Sequence, residues 1–328
     1  MAEPPKAADL GEDFRSLPEG RSLEHEPWLA ALLRDIRARQ EAVRAVLESE
    51  DEAVHRDFIG SASMDDGVPR VVAHMRERLG LTIEEYRAAP TVEAAFAHLR
   101  GAAERLGVFV LLIGNLGSHH TALPVAAFRG FALADPIAPF VVINDQDAKV
   151  AWSFTLLHEL AHLWLGKTGV SGGSFAASRL EQFCNDVASQ YLLPDTELRQ
   201  FADLGRDTAA ALRAIGHFAA GRKVSRPLVA YRLFREGVID RDFWQGVDDT
   251  LREEREREAA RERPDGDEGG PSYYVVRRHR LGPALIDFVR RNLDEGALTP
   301  TRASRILAVR PRSVEPLVRP TAPTRDAA

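Results

Sequence analysis

The stretch FTLLHELAHLWLG, residues 154–166, sets two histidines four apart with a glutamate directly after the first. On a helix, His158 and His162 would lie about 40° apart around the axis and about 6 Å apart along it. Two imidazoles so placed can reach one tetrahedral ion at about 2.0–2.1 Å. Glu159 would point about 100° away from His158, too far round for an equivalent ligand. It could still reach a water activated by the ion, which is the position of a general base. The spacing predicts a hydrolytic zinc site with one Zn2+ per chain. Phe154, Leu157, Ala161 and Leu165 are expected to form an opposite apolar stripe that packs the helix on a sheet.

A catalytic zinc needs a third protein ligand and an open fourth position. Glu181 is the best candidate, 19 residues past His162 in RLEQFCNDVASQYLLP. Ala188 and Ser189 are small enough to let its helix approach the first one closely. Asp186 is the rival, on a different face of the same helix. Cys184 is a third possibility, although a lone cysteine between Phe183 and Val187 reads more readily as a small buried apolar residue. His119 and His120 fall in a loop and could line the cleft.

These residues need elements to hold them. Helical periodicity runs over 27–49, over 68–79, and over 91–106 with Thr91 as N-cap. The period then changes. GVFVLLIG (107–114) is a continuous apolar run and reads as a buried strand, and FRGFALAD and PFVVIND are further strands. Asp147 is placed to cap a helix that runs to Leu165, with Gly166 ending it. KTGVSGGSF reads as a loop. The Glu181 helix stops at Pro194, and two or three short helices fill 195–247. The strand Phe140, Val141, Val142, Ile143, Asn144 is expected to offer a sheet edge to an extended substrate.

The parts expected are a disordered 1–26, a helical 27–106, a core at 107–198 and helices packed on it at 199–250. A charged linker at 251–271 and a basic helical unit at 272–328 complete the chain. The net charge of −6 argues against wholesale nucleic-acid binding, but it is unevenly spread. Residues 272–328 hold 11 Arg against 5 acidic residues, leaving −12 on residues 1–271. Arg302, Arg305, Arg310 and Arg312 could meet DNA phosphates, yet a solvated helical cap is the favoured reading. The single cysteine excludes an intrachain disulfide and fits a reducing cytosol. MAEPPKAADLGEDF lacks the features of a signal peptide, and no stretch is apolar enough to span a membrane, so a cytoplasmic protein is expected.

Three segments together, FRGFALADPIAPFVVINDQDAK, FTLLHELAHLWLG and LEQFCNDVASQYLLP, resemble the ImmA/IrrE family of zinc metallopeptidases. The resemblance implies an α+β, zincin-like core with helical additions at both ends. It implies His158, His162 and Glu181 as zinc ligands and Glu159 as catalytic acid/base. It also implies an endopeptidase whose protein substrate is a helix–turn–helix repressor, cleaved to release stress-response or mobile-element genes. Many members begin with a repressor-like helix–turn–helix, a pattern that residues 1–75 here do not show. Two other readings compete: a DNA- or protein-binding regulator with a structural or vestigial zinc site, and the defence or toxin arm of a two-gene system. Glu159 weighs against the vestigial site, because a structural ion needs no base beside it.

Overall fold

The computed structural model describes residues 26–171, 179–201, 204, 207–261 and 272–319. Four helices come first: α1 (Glu26–Ser49), α2 (Val68–Leu79), α3 (Ile83–Ala88) and α4 (Val92–Arg105). Next are β1 (Phe109–Leu112), β2 (Gly130–Leu133), β3 (Phe140–Ile143), α5 (Lys149–Trp164), β4 (Gly169–Ser171) and α6 (Arg179–Leu192). Helices α7 (Asp195–Leu198), α8 (Thr208–Arg222), α9 (Arg226–Arg235) and α10 (Arg241–Arg261) follow. The chain closes with α11 (Tyr273–Leu281), α12 (Pro283–Asp294), α13 (Pro300–Ile306) and α14 (Val314–Val318). This is an α+β, zincin-like architecture with helical additions. No described helix is long and apolar enough to cross a membrane.

The four strands lie in the order β1-β3-β2-β4. β1 runs parallel to β3, and β2 is antiparallel to both β3 and β4. This order corrects the expected substrate edge. β3 sits between β1 and β2, so both of its hydrogen-bonding sides are taken. Phe140, Val141, Val142 and Ile143 are all fully buried. Asn144 is buried as well, and its Nδ2 donates to the carbonyls of Leu123 and Phe128. None of the five can meet a substrate strand. The expected loop after α5 instead contains β4, an outer strand of the sheet.

Strands buried on both faces need cover on both faces. Val110, Leu112, Ala132, Val141 and Ile143 point into one core, shared with α2, α4, α5, α6 and α8–α10. Phe109, Leu111, Phe131, Leu133, Phe140 and Val142 point into a second core, shared with α1 and α11–α14. This alternation is the period of two that a pleated strand imposes. The first helix and the last four therefore form one layer together. Gln40 of α1 donates to the carbonyls of Leu133 and Ala138, and Phe288 of α12 meets Phe109 edge-on at 5.9 Å.

The expected charged linker begins as a helix, and the basic helical unit after it is joined to the sheet. Residues up to Arg261 are helical, as the end of α10, and α11–α14 pack into the second core. The rest of that linker and the N-terminal segment before Glu26 lie outside the described residues. A buried arginine fixes the seam. Arg100 of α4 donates to the carbonyls of His279 and Val110 and pairs with Glu104 at 3.2 Å. Burial pushes the Glu104 carboxyl up to about 7, against the pull of Arg100.

α5 is the central helix. Trp152, Ser153 and every residue from Thr155 to Trp164 are buried, so it is enclosed all round and not merely along one stripe. Ala148, rather than Asp147, occupies its N-cap position. Gly166 turns the chain after it at φ +63, a backbone conformation that costs glycine little. A Cβ there would lie 3.0 Å from the Cα of Gly60.

Candidate metal centre

The central position of α5 gives its histidines little freedom. The His158 and His162 rings face each other across one turn, with centroids 5.0 Å apart and Nε2 atoms 3.2 Å apart. α6 packs against α5, and its Cys184, Val187 and Ala188 are fully buried in the same core as Leu157 and Ala161. The small Ala188 lets the helices close up, as the sequence suggested. Glu181, in the first turn of α6, is thereby brought over both rings. Its Oε2 lies 3.2 Å from His158 Nε2 and its Oε1 lies 3.2 Å from His162 Nε2.

Burial raises the Glu181 carboxyl, but hydrogen bonds and charge from the two histidines outweigh it and hold the group well below the usual carboxylate range. An anionic oxygen and two imidazole nitrogens form a metal-ligand set. Their spacing fits one ion. A tetrahedral centre with ligands at about 2.0–2.1 Å holds its donor atoms roughly 3.4 Å apart. Among the described residues, His158, His162 and Glu181 form the one group of this kind. The His158 and His162 side chains are 4% and 0% exposed, whereas Glu181 is 17% exposed. Solvent therefore approaches the group on the Glu181 side.

Asp186 is settled by other contacts. It accepts hydrogen bonds from Tyr231 Oη at 2.7 Å and from Arg235 Nε at 2.9 Å. Both partners lie on α9, so this carboxylate ties α6 to α9. Cys184 is buried and lies outside the group. His120 is exposed in a 3-10 turn between β1 and β2 and is not in the group either. The side chain of His119 lies outside the described residues.

Glu159 is completely buried, and its Oε1 lies over the start of β2. Here the sequence reading missed a residue. A Cβ on Gly130 would come within 2.9 Å of Glu159 Oε1, 2.7 Å of Thr155 Cγ2 and 3.0 Å of the Val142 carbonyl oxygen. Gly130 lets α5 lie this close to the sheet and leaves room for the glutamate. The signal was present, since a glycine inside an apolar strand run marks a close approach of another element. Gly130→Ala should destabilise the fold by about 1–3 kcal/mol, the usual cost of overpacking. Chemical denaturation should show the loss. An unchanged midpoint would mean that Glu159 can move aside freely.

The arrangement is two helical histidines and a carboxylate from the next helix, a set that could hold one metal ion, with the buried Glu159 next in sequence to His158. Residues 103–234 match the IrrE N-terminal-like domain of the peptidase families. The matched segment contains His158, Glu159, His162 and Glu181, so the likeness to that family extends over the whole candidate site. No curated protein and no solved structure matches the chain.

The assignment makes a direct prediction about metal content. His158→Ala, His162→Ala and Glu181→Ala should each weaken metal binding by more than about 10²-fold, since even changes in the surrounding shell cost 10–100-fold. Asp186→Ala should leave metal content intact. Elemental analysis of the dialysed variants reads this directly. Metal lost from Asp186→Ala but kept by Glu181→Ala would reverse the assignment.

Proposed function

We propose that the protein is a zinc-dependent endopeptidase whose substrate is a repressor-type transcriptional regulator. The observation that carries the peptidase reading is the cluster of His158, His162 and Glu181, the one such group among the described residues, with Glu159 next to His158 on the same helix. Two imidazoles and one carboxylate are the protein ligands of several zinc peptidases, and they leave a fourth position for substrate or water. When bound, zinc supplies Lewis acidity toward a peptide carbonyl and lowers the pKa of water. His158, His162 and Glu181 hold it. Glu159 takes a proton from the attacking water and returns it to the leaving amine, which is general acid–base work. Its complete burial keeps that proton from bulk solvent.

The sheet order supports a placement for the substrate. Among the described residues no strand pairs with the outer side of β4, and Ser171 of β4 is in register with Gly130 beneath Glu159. An extended peptide added along β4 would bring its backbone past the site, and main-chain hydrogen bonds would supply the affinity. The repressor is the finer part of the proposal and rests on the family. Incubating the zinc-loaded protein with helix–turn–helix repressors, and mapping products by mass spectrometry, tests it. One defined cut, stopped by a zinc chelator, is expected. Cleavage of unstructured peptides with every repressor left intact would overturn the substrate while leaving the peptidase reading in place.

A further inference from the structure

We propose that the exposed face of α13 and the turn after it form a docking surface for the phosphate backbone of double-stranded nucleic acid. Four arginines fall within eleven residues of sequence, Arg302, Arg305, Arg310 and Arg312. Arg302 and Arg305 are three apart on α13 and share a face. Arg310 precedes, and Arg312 lies within, the 3-10 turn Pro311–Ser313, which packs against α13. All four are exposed, and none is ion-paired with a described residue.

The neighbouring charges are already committed. Arg319 pairs with Asp294 and Glu315, and Arg290 pairs with Asp287. Arg277 caps the carbonyls of Leu307 and Ala308, and Arg278 those of Leu317 and Pro316. Glu295, at the C-cap of α12, is the one acidic residue of 283–319 outside these pairs. The four arginines are therefore a local excess of positive charge on a chain whose formal net charge is −6.

A second helix–turn–helix in the fold shows the contrast. α8 and α9 are joined through Lys223 at φ +55, yet the second helix is spent inside the protein. Leu228 to Leu233 are buried, Arg232 pairs with Asp195 and Glu236, Arg235 with Asp186, and Arg226 with Glu254. Every arginine of its second helix is thus ion-paired. Those of the α13 surface are not paired with any described residue.

The chemistry of the surface selects the partner. A protein partner is held through a buried apolar centre. The other exposed residues here are Thr299, Pro300, Thr301, Ala308 and Pro311, with no large apolar side chain among them. Phosphates need only cations and hydroxyls, and the guanidinium fork suits them. Single strands need aromatic platforms, and none of the exposed residues of α13 and its turn is aromatic. No Asn or Gln is present to read base edges, so binding is expected to be independent of sequence.

The test is fluorescence anisotropy of a labelled duplex of about 20 base pairs with the full chain, titrated between about 50 and 200 mM salt. The logarithm of affinity should fall linearly with the logarithm of salt. Replacing all four arginines by alanine should flatten that slope by about 3–4, at roughly 0.9 per phosphate contact. Four lysines at the same positions should retain most of the slope, and a folding defect would not discriminate between the two sets. Absence of salt-dependent binding by the native chain overturns the proposal, as does an unchanged slope with four alanines. Tighter binding to polyglutamate than to the duplex at equal salt also overturns it, in favour of an acidic protein.

Discussion

Glu159→Gln should keep its metal and its fold while losing peptide cleavage by about 10²–10⁴-fold, the range that general acid–base catalysis contributes. The amide is nearly isosteric with the carboxylate and fits the space above Gly130, so the packing of α5 on β2 survives. It cannot accept a proton, so the attacking water stays neutral. The three metal ligands are untouched, and elemental analysis should return the native metal content. A variant that cleaves at the native rate would remove Glu159 from the chemistry. A variant that loses metal would make it a ligand, against the placement of its Oε1 over the start of β2.

Deleting residues 272–328 should abolish the folded state, not release a tethered module. The deletion strips Leu281, Leu285, Phe288 and Val289 from the second core. Burial of each is worth about 1.5–3 kcal/mol. Those four alone amount to roughly the whole net stability of a typical domain, 5–15 kcal/mol. It also removes the His279 carbonyl from Arg100, leaving a nearly buried guanidinium short of an acceptor. The expected outcome is aggregation, or loss of a cooperative melt. A soluble truncated chain with native metal content and a sharp transition would show that the first core stands alone.

The site was more legible in the sequence than the fold around it, for physical reasons. His158, Glu159 and His162 lie within one helical turn or so, and a helix converts spacing into direction without outside help. Glu181 could be named but not separated from Asp186, because Tyr231 and Arg235, 45 and 49 residues further on, claim the rival. The strands announced themselves as apolar runs. Their order did not, since β1 and β3 pair in parallel across an intervening strand. Calling β1 a buried strand implied cover on both faces. The reading nonetheless treated the two helical ends as separate additions, because nothing local says that residues so far apart share one layer. β4 escaped because GVS is three residues long and only its valine favours a strand.

That shared layer has a consequence for how the chain is made. Arg291 reaches Glu52 across 239 positions, and α1 and α13 meet within the same core. A ribosome delivers the sheet and all four site residues long before it delivers α11–α14. At about 5–20 residues per second, the aromatic face of Phe109, Phe131 and Phe140 waits roughly 10–40 s for its second cover. Through that interval the nascent chain carries an open greasy surface beside a finished set of metal ligands, so holdase chaperones should bind it there and release it as the last helices emerge.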